Sequence, residues 1–234
     1  MVANQVALAE ALAADFDAHG QHALRLRGKF TVALSGGSLA TQFFPRLARL
    51  PFDWSRTEFF WADERAVPPS DPESNYAVAV SLWLGPAKVP PANIHRMRGE
   101  DADLNHAARD YAAELVHIAG SPPRLDLVML GVGPDGHVAS LFPGHPASRD
   151  EQHFVAAVEH APKPPPRRVT LTMPALLNAE RIVVAALGRE KAAAIRDALE
   201  GDAATAFGTV VKKARNARIL LDEEAAGLLT NRLQ

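Results

Sequence analysis

Three short stretches of this chain hold side chains suited to proton transfer and anion binding. In the first, the largely apolar run Leu125–Leu130 opens into Gly131-Val132-Gly133-Pro134-Asp135-Gly136-His137. An imidazole titrates near neutral pH, so His137 is a candidate general base, with Asp135 placed to fix the turn or the surroundings of the ring. The second is Ser35-Gly36-Gly37-Ser38. Its two glycines let backbone amides approach a ligand, and a helix starting there favours an anion, a geometry that suits phosphate. An ordinary turn with Ser38 capping the helix has the same sequence. The third is Asp63-Glu64-Arg65, a carboxylate able to orient a sugar hydroxyl beside a guanidinium able to bind phosphate. Taken alone it also reads as a solvated turn or local ion pair.

These groups work together only if the chain brings them to one place. Helical spacing of alanine and leucine over residues 4–18 predicts a first helix ending near Gly20. Phe30–Leu34, Glu58–Trp61, Leu125–Leu130, Arg181–Leu187 and Arg218–Leu221 read as strands, mostly short apolar runs bounded by breakers. Helices are predicted from the Ser35–Ser38 loop to about Leu50, near 75–84 and 103–119, and over Glu190–Leu199. This alternation predicts a doubly wound, mostly parallel α/β sheet in one domain over residues 1–234. The carboxyl ends of its strands, where such sheets bind ligands, would gather the three stretches in one crevice. His153–Val158 and Val169–Thr172 break the rhythm as two extended segments joined by Ala161-Pro162-Lys163-Pro164-Pro165-Pro166-Arg167-Arg168. They predict a small β flap around 153–172, whose Lys163, Arg167 and Arg168 could close over an anion or form a basic surface loop.

Other chemistries compete for the same residues. Gly36-Gly37-Ser38-Leu39-Ala40 is one residue from the Gly-x-Ser-x-Gly nucleophile elbow, and Asp135 and His137 follow in the order that motif uses. A triad acid, however, normally sits on a loop separate from its histidine, and two residues apart on one turn the pair would struggle to meet. Gly131–Gly136 matches G-x-G-x-x-G, but Leu141-Phe142-Pro143-Gly144 stops any long helix, and Asp150 and Glu151, at the right distance, sit in a polar loop. A dinucleotide site is therefore not expected. His137 and His145 stand across a proline-glycine turn with no compact set of carboxylates, so no metal is expected.

Composition narrows the classes. The 234 residues are 47% hydrophobic and 22% charged, with a net charge of -2, which gives no support for nucleic-acid or membrane binding. With no cysteine, disulfides and thiolate chemistry are excluded. No apolar stretch is long enough to span a bilayer and no secretory signal is visible, so a cytoplasmic protein is expected.

Several motifs, in order along nearly the whole chain, resemble the 6-phosphogluconolactonases. They are Leu34-Ser35-Gly36-Gly37-Ser38, Asp63-Glu64-Arg65-Ala66-Val67-Pro68, Ser74-Asn75-Tyr76, Gly131–His137 with Leu141-Phe142-Pro143-Gly144, and Pro162–Arg167. Leu39-Ala40 stands where the family often has Thr-Pro, and Val138 where it often has Thr. The resemblance implies a Rossmann-like fold shared with glucosamine-6-phosphate deaminase and hydrolysis of 6-phospho-D-glucono-1,5-lactone, the second step of the oxidative pentose phosphate pathway. It implies no cofactor, and a monomer or small homo-oligomer whose partner is the phosphosugar lactone. The deaminases usually carry Tyr where Arg65 falls and Phe-Asn-Glu-Pro where Leu141–Gly144 falls, and both differences favour the lactonase. In that reading His137 activates water, Asp135 supports it and Asp63 meets sugar hydroxyls. Ser35, Gly36, Gly37 and Ser38, with Arg65, Lys163, Arg167 and Arg168, hold the phosphate or the developing oxyanion. Related sheets also serve as sugar-phosphate sensors of transcription regulators, but this sequence has no basic recognition helix to match them.

Overall fold

Short β-branched and aliphatic runs that alternate with amphipathic helices can bury both faces only in a sheet covered by helices. The computed structural model describes residues 5–230. In chain order its elements are α1 (Gln5–Arg27), β1 (Phe30–Leu34), α2 (Gly37–Leu47), β2 (Thr57–Trp61), β3 (Asp63–Arg65) and α3 (Asn75–Ala79), which runs on as a π-helical turn over Val80–Leu84. There follow α4 (Leu104–Ala119), β4 (Leu127–Gly131), β5 (Val155–Val158), β6 (Arg168–Leu171), α5 (Met173–Leu177), β7 (Ile182–Ala186), α6 (Ala192–Leu199), α7 (Ala206–Lys213) and β8 (Ala217–Leu221).

The main sheet has the order β2-β1-β4-β7-β8, with every neighbouring pair parallel. From β1 the chain goes to β2 on one side and later to β4 on the other. The carboxyl ends of β1 and β4 therefore flank the point where the winding reverses, the place where such sheets open a ligand crevice. β1 and β7 are buried along their whole length. In α2, Leu39, Ala40, Phe43, Phe44 and Leu47 form the buried stripe. Around Trp83, the rings of Phe16, Phe44 and Phe59 lie 5.2, 5.2 and 5.3 Å away.

The expected flap is present, with one strand more than the sequence suggested. β5 and β6 pair antiparallel, and β3 joins β6 in a three-stranded sheet of order β3-β6-β5. Three polar residues give β3 no hydrophobic alternation to betray it. The partner β6 defines it, with Asp63 opposite Thr170 and Arg65 opposite Arg168.

Other boundaries differ for local reasons. The first helix was expected from residue 4, which lies outside the described residues, and to end near Gly20. It continues to Arg27, because Gly20 is buried under the Phe52 ring rather than placed at a stop. The second helix ends at Leu47, short of Leu50. α5 and α7 were not expected. α7 carries Gly208, Thr209 and two valines, weak helix formers, and is started by the Thr205 hydroxyl, which accepts from the Gly208 amide at 3.0 Å.

At the amino ends of the strands, Asp15 of α1 accepts hydrogen bonds from Arg181 (2.9 Å) and Arg218 (2.7 Å) and ties α1 to β7 and β8. Burial acts to raise the Asp15 carboxyl pKa, but the two arginines outweigh it and hold the carboxyl below its usual value. The depressed value means that this stabilisation is present once a free aspartate is ionised. It is lost as pH falls through the folded-state value. Asp15→Ala is expected to lower unfolding stability in urea by about 2 kcal/mol at neutral pH, with a difference that shrinks in acid. Because the contact lies far from the strand carboxyl ends, KM is expected to stay unchanged.

Candidate active site

The three stretches singled out by their chemistry meet in one cleft. Its walls include Ser35, Gly36, Gly37, Ser38, Asp63, Arg65, Asn75, Gly133, His137 and Arg168. β1 delivers the Ser35–Ser38 loop, β4 delivers the glycine-rich turn, and β3 with β6 delivers Asp63, Arg65 and Arg168.

The turn after β4 folds back on itself through hydrogen bonds from the Gly133 amide to the His137 carbonyl and from the Gly136 amide to the Gly133 carbonyl, both 2.9 Å. This brings Asp135 Oδ1 to 2.5 Å from His137 Nδ1. The expectation that residues two apart on one turn would struggle to meet is thus corrected. Gly133 is the reason, since a Cβ there would lie 2.0 Å from His137 Cε1 and 2.7 Å from Asp135 Oδ1. α7 braces the turn from outside, the Phe207 amide donating to the Gly136 carbonyl at 3.0 Å. With a carboxylate on Nδ1, the neutral ring keeps its proton there and leaves the Nε2 lone pair for the cleft. Burial drives the imidazole pKa below its ordinary value, against the opposing pull of Asp135. A lowered value favours the neutral imidazole, which has an unprotonated nitrogen able to accept a proton.

The phosphate-type loop is a bare helix start. Gly36 occupies the N-cap position of α2 without a side-chain cap, so the first amides of the helix have no side-chain partner there. Ser38 does not cap the helix. Its hydroxyl instead accepts from Lys191 Nζ at 3.1 Å. Among the described residues no hydrogen bond joins Ser38 to His137, so the nucleophile-elbow geometry is not formed. Lys191, only 7% exposed, is a functional candidate that sequence reasoning missed. Its signal was its place in the short helical turn that follows the buried strand β7, the neighbour of β4.

On the opposite wall Asp63 is buried and committed. Its Oδ2 accepts from Ser140 Oγ at 2.6 Å, and Arg168 Nη1 lies 3.8 Å away. Arg168 donates to the carbonyls of Pro165 (3.0 Å), Pro164 (3.0 Å) and Lys163 (3.3 Å) and lies 5.5 Å from the centre of the Phe142 ring. That same ring packs 4.5 Å from the imidazole of His137. Glu64, the middle residue of the Asp-Glu-Arg stretch, is neither solvated nor free. It accepts from the amides of Arg65, Asn75 and Tyr76 and from the Ser74 hydroxyl, and so fastens the start of α3 to β3. Lys163 stands 3.5 Å from Asp135 at the rim. Arg167 does not take part. It faces outward onto Glu159 (3.0 Å) and the Ala102 carbonyl (3.2 Å), since alternate residues around a strand face opposite ways.

A larger hollow, about 540 Å³, lies between α4 and β5, but its histidines are spoken for. His145 bonds the Glu159 carbonyl and the Ala147 amide, and His153 bonds Asp150. Among the described residues no group of three or more His, Asp or Glu is placed to hold a metal ion, and no helix is long and apolar enough to cross a membrane.

A doubly wound sheet whose switch-point cleft joins an uncapped helix start to a carboxylate-paired imidazole defines a class of ligand-binding α/β folds. Within that class the chain belongs to the family of glucosamine-6-phosphate isomerases and 6-phosphogluconolactonases, which matches residues 3–219. The 6-phosphogluconolactonase of Streptomyces coelicolor is 37% identical over 245 aligned residues, covering 97% of this chain and 92% of that protein. The chloroplastic 6-phosphogluconolactonase 3 of Arabidopsis thaliana is 38% identical over 188 residues. That match covers 74% of this chain but only 57% of the plant protein. The crystal structure of a 6-phosphogluconolactonase from Shewanella baltica superposes with a TM-score of 0.84 at 27% identity, over 94% of this chain and 95% of that one.

The His137 resonances are expected to titrate below the ordinary histidine range when followed by NMR. Asp135→Asn removes the one strong influence that raises the value, so titration is expected to move lower still. An unchanged or higher value would mean that the pair is not formed in solution. Gly133→Ala is expected to cut turnover roughly a hundredfold, measured as kcat, with circular dichroism unchanged.

Proposed function

We propose that this chain is a cytoplasmic 6-phosphogluconolactonase, hydrolysing 6-phospho-D-glucono-1,5-lactone to 6-phospho-D-gluconate in the oxidative pentose phosphate pathway. The observation that carries the reading is the pairing of His137 with Asp135 at 2.5 Å, across one cleft from the uncapped start of α2. The family membership and the 37% identity to the Streptomyces coelicolor lactonase support the choice of reaction.

A lactone carbonyl is already electrophilic, so the step draws on no covalent nucleophile. His137 Nε2 takes a proton from a water molecule as its oxygen bonds C1. The tetrahedral intermediate then collapses with cleavage of the bond between C1 and the ring oxygen, and the imidazolium returns the proton to that oxygen. Asp135 keeps the ring in the reactive tautomer and stabilises the transient cation. The amides of Gly36, Gly37 and Ser38, with Lys191, hold the phosphate. Arg65 and Arg168, on the Asp63 side, are the cations available as negative charge develops at the carbonyl oxygen. Anchoring the phosphate away from C1 turns binding energy into placement of the reacting carbon.

The decisive assay is acid release from freshly generated 6-phosphogluconolactone, with spontaneous hydrolysis subtracted. Glucosamine 6-phosphate and unphosphorylated gluconolactone run beside it. Turnover of the phosphorylated lactone alone is expected, whereas ammonia from glucosamine 6-phosphate would make the protein a deaminase. His137→Ala is expected to lower kcat by at least about a hundredfold with phosphogluconate binding retained. Lys191→Ala should instead act mainly on KM, raising it by roughly tenfold or more.

A further inference from the structure

Asn75 carries chemistry that the lactonase scheme leaves unused. It is 2% exposed and lines the cleft at the start of α3. Its Nδ2 donates to the Asp63 carbonyl at 2.7 Å and reaches Asp63 Oδ1 at 3.4 Å. Turning the amide over would set its oxygen against those two acceptors, so the orientation is fixed by its partners. The consequence is that Asn75 Oδ1 is buried with no donor among the described residues. A buried acceptor left unpaired is costly and rare, and beside a cleft it calls for a donor from outside the protein.

Gly36 makes this placement possible. A Cβ on Gly36 would lie 1.8 Å from Asn75 Oδ1, although its φ of -86° is open to any residue. The glycine therefore serves here to admit the amide oxygen to the loop that begins the anion cradle. Next to it, Ser35 Oγ is likewise buried without a partner and lines the same cleft. Acceptor and hydroxyl together match a ligand presenting hydroxyl groups beside its phosphate.

We propose that Asn75 is a specificity residue that reads one ring hydroxyl of the sugar lactone, Oδ1 accepting the hydroxyl proton while Nδ2 remains on Asp63. This rests on the lactonase reading and adds to it the residue through which one ring hydroxyl is told from its absence. Asn75 also positions Asp63, so the test must separate the two roles. A purely structural role would slow every lactone by one factor, whereas a direct contact is felt only by substrates that carry the hydroxyl.

The experiment measures kcat/KM for the parent lactone 6-phosphate and its 2-, 3- and 4-deoxy analogues with the wild-type protein, Asn75→Ala and Asn75→Asp. The wild type is expected to disfavour one analogue by roughly tenfold or more. In Asn75→Ala that preference collapses to near unity. In Asn75→Asp it persists even if overall activity falls, because a carboxylate oxygen still accepts while the donor to Asp63 is lost. Equal turnover of all four lactones by the wild type would overturn the inference, a result that needs no variant to fold. A single common loss in Asn75→Ala across the four would overturn it as well. Absence of wild-type turnover on the parent lactone would overturn the lactonase reading and this inference with it.

Discussion

β1 is paired in parallel on both edges, to β2 and to β4, and is buried along its whole length. The cleft inherits its geometry from that double pairing. Parallel strands end on the same side, so the loop after β1 emerges between the chain leaving β2 and the turn leaving β4. A slip of one residue on either edge would turn inward-facing side chains outward, and the apolar runs on both sides resist it. Relative positions of the imidazole, the helix start and Asp63 are therefore a property of the core and not of loops seeking one another.

The second sheet completes what the first begins. β3 leaves the parallel sheet immediately after β2 and pairs with β6, so that Asp63 and Arg168 enter the cleft from a different layer. Phe142 is a shared neighbour of the cation and the base, with Arg168 5.5 Å and His137 4.5 Å from the centre of its ring. Charge is arranged with the same economy. Asp63 is satisfied by Ser140 and Asn75 and has Arg168 close by, Asp135 by His137, and Glu64 by four donors. The carboxylates of the site are thus held as acceptors, and the imidazole nitrogen facing the cleft is the group left to take a proton.

Much of this was legible in the sequence because it is written in short, local patterns. The parallel strands announce themselves as apolar runs bounded by breakers, and the Gly-rich turn ending on His137 and the Ser-Gly-Gly-Ser loop each follow such a run. What the sequence did not disclose depends on partners distant along the chain. β3 is three polar residues given strand form by β6, and α7 is built from weak helix formers under a Thr205 cap. Lys191 gains its meaning only when β7 settles beside β4. The meeting of Asp135 with His137 turned on an atom that is missing at Gly133, which spacing rules do not register. Arg167 and Arg168 are adjacent and chemically alike, and only the facing of β6 separates the inward cation from the outward one.

Arg168 spends most of its guanidinium on the carbonyls of Lys163, Pro164 and Pro165. A proline-rich segment beside a cleft invites comparison with a hinged lid, yet this one is fastened by a cation that itself lines the cleft. Its ordering entropy is surrendered when the chain folds and not when a ligand arrives. The segment beside Arg168 is accordingly preorganised. Any ligand that meets Arg168 therefore finds this cation already held in place, and does not have to order the segment it is tied to.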